Sequence, residues 1–337
     1  MSVEDIAKGL TLEQFEHYDV TKINCNELRW FIKSFHDSHP DAIHWDLTHW
    51  DVSNVTDMFQ MFNYCESLQS LDVSNWNASN VTNMCAMFSG CSSLKTLDVS
   101  NWNASNVTDM CFMFCSCRSL ESLDLSNWNV SSVTNMMCMF NYCQSLKSLN
   151  VSNWDTSNVT TTYQMFNCCQ SLQSLDVSNW DVSKVTIMDH MFSGCRSLKS
   201  LNLSNWDVSN VLDMKYMFNY CRSLKSLDVL NWNVSNVRYM DKILSCCSLP
   251  SQNIHELIRI SKEKHKSDRV VYVDSNSLDD EDSQFIQSEA KKVQDFIHSE
   301  QIKLLCSKIE SLEVILSDKE TEISKLSNLL LSLADQM

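Results

Sequence analysis

From Trp45 to residue 252 the apolar and polar positions recur every 26 residues, eight times, without an insertion or deletion. Within the unit that starts at Leu71, two shorter periods are nested. Leu94-x-x-Leu97-x-Val99 ends in an apolar/polar alternation, which predicts a short strand with one buried face. Met84, Met87, Phe88 and Cys91 stand at i, i+3, i+4 and i+7, which predicts about two helical turns with an apolar stripe. Thr82 precedes that stripe as an N-cap, and Asn83, or Asp57, Asp109 and Asp213 in other units, suits a first turn. Each unit thus reads as a strand, a polar turn and a short helix. One unit cannot bury its apolar side alone, so the prediction is a repeat solenoid, leucine-rich-repeat-like, with a parallel strand ladder and short helices.

Stacking turns equivalent positions into ladders. Tryptophan recurs at Trp50, Trp76, Trp102, Trp128, Trp154, Trp180, Trp206 and Trp232. Ser53 and its equivalents through Ser235 are the same in all eight units, and Asn75 recurs through Asn231. A polar side chain repeated in every turn is expected to bond backbone groups that the turn leaves unpaired. Identical rungs carry little information for recognising one partner over another.

The string Leu-Asp-Val-Ser-Asn-Trp-Asn-x-Ser-Asn-Val-Thr-Asn-Met-x-x-Met-Phe-x-x-Cys-x-Ser-Leu-Lys resembles the repeat of BspA-like leucine-rich-repeat surface proteins, above all their mycoplasma-type lipoprotein branch. The resemblance covers residues 45–252 and includes the lead-in from Asn26 to Thr48. It implies a solenoid used for adhesion or other protein contacts, with no catalytic residues to carry over. Two features depart from that pattern. The signal usual in the surface members is absent, and the glycine often found before the repeat cysteine survives only as Gly90 and Gly194.

Outside the array the pattern changes. In residues 1–44, Leu12 to Tyr18 and Asn26 to His36 read as short helices that cap the open end of the solenoid. Beyond Pro250, residues 253–301 read as a capping helix, Ile254 to Lys264, followed by an acidic linker around Asp279 to Asp282. From Ile302 to Met337 a heptad places Ile302, Ile309, Leu316, Ile323, Leu330 and Met337 at a, and Leu305, Leu312, Leu326 and Leu333 at d. That seam predicts a C-terminal α-helical coiled coil and hence a homo-oligomer; its competitor is an amphipathic helix folded back on the solenoid.

Composition narrows the function. Only 3 Gly and 2 Pro leave the turns to Asn, Asp and Ser. A net charge of −16 argues against nonspecific nucleic-acid binding. The first ten residues have no secretory core, and no apolar run reaches the ~18 residues of a membrane span. The expectation is a cytoplasmic protein, with surface or virion association implied by the resemblance. Of 16 cysteines, eight (Cys65 through Cys247) share one inward position, where a free thiol behaves as a small hydrophobe. Thiols on one line do not build a tetrahedral cage, and His36, His39, His44 and His49 lack Cys partners, so no metal and no cofactor is expected.

The leading expectation is a non-enzymatic protein-binding or adhesion scaffold, with a structural fibre or virion component as its variant. An enzyme would need acid, base or nucleophile residues converging in a pocket, and the candidate carboxylates are ladder members. A row of threonines, Thr56 to Thr186, raises binding to a regular surface such as ice, but helix capping explains it better. Recognition must lie where rungs differ. Between the two Met positions, Phe59, Phe112, Tyr163 and Tyr216 are expected to point outward as interface anchors. Arg196, Lys199, Arg222 and Lys225 make the sixth and seventh rungs basic enough to dock an acidic partner.

Overall fold

The computed structural model describes residues 2–229 and 231–249. The expected capping helix, acidic linker and coiled coil of residues 253–337 lie outside the described residues. Within them the chain winds into a parallel β-solenoid. Its strands are β1 (His44–Asp46), β2 (Ser70–Asp72), β3 (Thr96–Asp98), β4 (Ser122–Asp124), β5 (Ser148–Asn150), β6 (Ser174–Leu175), β7 (Ser200–Asn202) and β8 (Ser226–Asp228). They pair parallel and in register within three sheets, β1 to β3, β4 to β6 and β7 to β8, with Leu71 opposite Leu97, Leu123 opposite Leu149, and Leu201 opposite Leu227. A second ladder of single bridges runs unbroken from Asp57 through Asn83, Asp109, Asn135, Thr161, Ile187 and Asp213 to Tyr239. The strands are three residues long, β6 two, and one residue in each faces inward, as Leu123 does between exposed Ser122 and Asp124.

The expected short helices are not there. In the segment that carries Met84, Met87, Phe88 and Cys91, alternate amides leave the rung altogether. Met84, Ala86, Phe88 and Gly90 donate their N–H groups to the carbonyls of Asp109, Cys111, Met113 and Cys115 in the next rung, at 2.8–2.9 Å. The intervening amides of Met87, Ser89 and Cys91 close tight turns onto Met84, Ala86 and Phe88. An α-helix needs every interior amide to bond four residues back, so stacking wins over propensity. The stripe still points inward, since all four side chains are fully buried. Thr82 is accordingly not an N-cap; its hydroxyl donates to the Thr56 carbonyl one rung below, at 3.2 Å. Asn83 instead accepts the Cys85 amide on its side-chain oxygen, at 2.9 Å.

These turns require left-handed backbone at two positions per rung. Residues equivalent to Ala86 and to Gly90 all have φ between 51° and 76°, although only Gly90 and Gly194 are glycines. Each non-glycine residue there costs ~1–2 kcal/mol, and the stack sustains it. The two glycines also solve a local crowding problem. A Cβ on Gly90 would lie 2.6 Å from the ring of Tyr64, and one on Gly194 would lie 3.1 Å from the Cys168 sulfur.

The core is a set of ladders. Trp76 and Trp102 stack at 6.0 Å with rings 3° apart, and Phe88 and Phe114 at 5.6 Å. Every ladder tryptophan is at most 5% exposed, and from Trp76 onward each indole N–H donates to a carbonyl of the preceding rung, as Trp128 does to Val99 at 2.9 Å. The inward cysteines do the same with sulfur, for example Cys117 to the Phe88 carbonyl at 3.2 Å. Burial pushes their thiols well above the ordinary range. Asx residues two before the ladder Ser hold these turns, Asn77 accepting the Ser79 amide at 3.1 Å, while Asn106 donates back to the Ser79 carbonyl at 2.7 Å.

At the open end, helices α1 (Val3–Lys8), α2 (Leu12–Glu16) and α3 (Cys25–Ser38), with a 3₁₀ turn at Val20–Lys22, supply what a preceding rung would supply elsewhere. Phe15 packs edge-on against Trp45 and Trp50 at 5.2 and 5.1 Å, and its carbonyl accepts the Trp50 indole N–H. Glu16 accepts the Asp46 amide that would otherwise be unpaired.

Two stability changes follow. Trp128→Ala is expected to cost ~3–5 kcal/mol in chemical denaturation, as for other buried tryptophans. Ser116→Gly, at φ 60°, is expected to gain ~1 kcal/mol by relieving left-handed strain, whereas Gly90→Ala loses stability against Tyr64. Equal denaturation midpoints for S116G and G90A would show that backbone strain and crowding do not govern this corner.

Candidate functional site

The sequence-predicted anchors do not form one surface. Phe112 is 3% exposed and sits at a left-handed corner, so the outward reading fails there. That reading assumed 100° per residue, which a chain of tight turns does not follow. Phe59 and Tyr163 are half-buried, with Phe59 under the Arg29 guanidinium at 5.7 Å. Tyr216 stacks on His190 at 4.5 Å, and the Lys242 ammonium lies over the Tyr216 ring at 5.8 Å.

The basic residues fall into two columns on the approach to the strands. Arg196 and Arg222 share a position with Arg118, and Lys199 and Lys225 share one with Lys95 and Lys147. Lys199 and Lys225 are exposed and consecutive, the Lys225 amide donating to the Lys199 carbonyl at 2.8 Å. In-register stacking holds such like charges about a strand spacing apart, ~4.8 Å, which is unfavourable without counter-charge. Earlier in the array Glu121 supplies it, pairing with Lys147 at 2.6 Å. Among rungs six and seven, Arg222 lies over Tyr220 at 5.4 Å.

A different cluster was missed in the sequence. The exposed threonine column, Thr56 to Thr186, continues as Leu212 and Arg238, and the adjacent Asx column changes to Ile187 in rung six and Tyr239 in rung eight. Ile187, Leu212 and Tyr239 are the exposed large hydrophobics among the described residues, at 40%, 36% and 50%. They are neighbours: Ile187 and Tyr239 both bridge Asp213, and the Tyr239 amide donates to the Leu212 carbonyl at 3.2 Å. Lys215 sits over the Tyr239 ring at 4.5 Å and pairs with Asp213 at 3.3 Å. An aromatic flanked by cations and aliphatic neighbours is the composition of an interface anchor. The signal was present as a break in two otherwise polar columns.

Along the strands runs a groove of about 1070 Å³, lined by Asp46, Asp72, Asp98 and Asp124 with Ser70 and Thr96. Its carboxylates are committed to the turns. Asp124 accepts both the amide and the hydroxyl of Ser126, and these bonds hold its carboxyl below the usual range. Asp46 is lowered in the same way by Thr48. The N-terminal histidines make separate contacts. His36 faces Ser67 at 3.0 Å, with burial lowering its pKa; His39 stacks on Phe35, His44 meets Ser70, and His49 stacks on His17. None of the described helices is long and apolar enough to cross a membrane.

Phe112→Ser is therefore expected to lower stability by ~3–5 kcal/mol, the range for emptying a buried phenylalanine site. A loss below ~0.5 kcal/mol in urea unfolding, typical of surface changes, would return Phe112 to the surface.

A comparison with curated proteins finds no match. Against protein-family profiles, residues 29–150 and 143–257 each match the family described as "Mycoplasma protein of unknown function, DUF285". Those two overlapping matches span the whole repeat array and more than half of the chain, which therefore belongs to the DUF285 family.

Proposed function

We propose that this chain is a non-enzymatic protein-binding scaffold whose recognition surface lies on rungs six to eight. One observation carries the reading: the exposed columns that are polar in the early rungs become Ile187, Leu212 and Tyr239 in the late ones. Nothing in the stacking demands that change, because the backbone bonds are the same with either side chain. The apolar patch with Lys215 and Arg238 around it suits a protein partner carrying an apolar residue flanked by acidic ones. The basic columns of Arg196, Lys199, Arg222 and Lys225 extend the positive character of the same rungs and favour the same partner class.

The resemblance to BspA-like surface proteins supports an adhesion role, and the heptad of residues 302–337 supports multimers that raise avidity for a repetitive target. The same reading takes the chain as an intracellular protein unless another route exports it.

The test is site-specific photo-cross-linking in the native host, with the cross-linker at Leu212 or Tyr239 and, for comparison, at Thr82 in an early rung. With the cross-linker at Leu212, a discrete cross-linked protein is expected that disappears when Ile187→Thr and Tyr239→Asn are added, a variant whose melting temperature stays unchanged. Equal yield from Thr82 rejects the late-rung assignment. For multimerisation, light scattering is expected to give an oligomer for the full chain and a monomer for residues 1–301; equal protomer numbers would remove the coiled-coil role.

A further inference from the structure

The inward cysteines from Cys91 to Cys247 donate to phenylalanine carbonyls and are sealed in the core. A second pair is built differently. Cys85 and Cys111 occupy one position in rungs two and three, and their sulfurs lie 2.6 Å apart. That is inside the non-bonded contact distance of two sulfurs and longer than the about 2.05 Å of a disulfide. Cys85 is half-buried, and Cys111 is 6% exposed, so solvent reaches the pair from one side. The carboxylate of Asp109 joins them. One ligand atom from each of Cys85, Asp109 and Cys111 lies within 4.8 Å of the others, the one such group of three found among the described residues.

The backbone holds the three in place. Asn83 accepts the Cys85 amide at 2.9 Å, and Asp109 accepts the Cys111 amide at 2.8 Å through Oδ1. The second oxygen, Oδ2, is oriented by the Asn135 side-chain amide at 3.4 Å. Asn83, Asp109 and Asn135 are themselves consecutive members of the bridge ladder. The donors are thus preorganised by the same stacking that forms the solenoid. Two sulfurs and one carboxylate oxygen match the ligand chemistry of a thiophilic divalent cation, and three protein ligands leave a coordination position for water.

We propose that Cys85, Cys111 and Asp109 form a binding site for a thiophilic divalent cation of the zinc class, clamping the second rung to the third. Two thiolates at a Zn–S length of about 2.3 Å and tetrahedral angles stand roughly 3.8 Å apart, so binding opens the sulfur pair through small side-chain rotations. Each thiol gives up its proton to solvent as the cation binds.

The experiment uses the reduced, metal-free full chain titrated with Co²⁺, whose thiolate charge-transfer absorption reports sulfur ligation. One Co²⁺ per chain is expected, with that absorption lost in Cys85→Ser and in Cys111→Ser. Zn²⁺ should compete the Co²⁺ away and raise the melting temperature of the native chain but not of C85S. Asp109→Asn keeps the turn, because Asn stands at this position in the neighbouring rungs, and is expected to weaken Co²⁺ binding at least tenfold. Cys246→Ser, at another half-buried thiol, is expected to leave binding unchanged. Absence of charge-transfer absorption, its persistence in C85S and C111S, or a Cys85–Cys111 disulfide in the reduced sample would overturn the site.

Discussion

Everything in this molecule depends on hydrogen bonds made between rungs rather than within them. Because Met84, Ala86, Phe88 and Gly90 each spend their amide on the rung ahead, the neighbouring rung must present carbonyls at the same spacing. A single inserted residue would shift that register and leave buried amides unpaired. The invariance of the 26-residue period is the consequence. So is the left-handed backbone at two corners per rung, a strain that a lone unit could not hold and that the stack over-determines.

Two buried polar devices tie the ladders to this register. The Trp102 indole reaches the Val73 carbonyl, and the Cys117 thiol reaches the Phe88 carbonyl, each spanning 29 residues, one rung plus three. Each device buries an apolar body and satisfies its polar end with a group of the preceding rung. The first rung has no predecessor, and there Phe15 and Glu16 of the helical cap provide the missing acceptors for Trp50 and Asp46. The cap is therefore a substitute rung in hydrogen-bonding terms, not only a cover for apolar surface.

Much of this was legible in sequence, because a period of 26 with Leu97-x-Val99 alternation admits few architectures. The strand ladder and the inward thiols follow from it, whereas the cap helices are read from residues 1–44 outside the repeat. The helical stripe was misread because residues at i, i+3, i+4 and i+7 also line one side of consecutive tight turns. Only the left-handed corners distinguish the two, and these hold Phe112, Tyr142 and Cys168 as readily as Gly90, so composition gives no warning. The misplacement of Phe112 followed from that error. The late apolar patch was missed for another reason: Ile187, Leu212 and Tyr239 are unremarkable residues individually, and they stand out only against the polar columns they interrupt.

Which positions are free to carry recognition follows from the same bonds. The Thr82 amide donates to the Thr56 carbonyl at 2.8 Å, the Leu212 amide to Thr186 at 2.9 Å, and the Arg238 amide to Leu212 at 2.8 Å. The rung-to-rung bond is thus preserved whether the side chain is a threonine, a leucine or an arginine. Inward positions have less latitude, since the tryptophan and phenylalanine rings stack on their own kind in adjacent rungs. Specificity can enter this fold only where the backbone alone holds the register, and the outer corner around Leu212 is such a place.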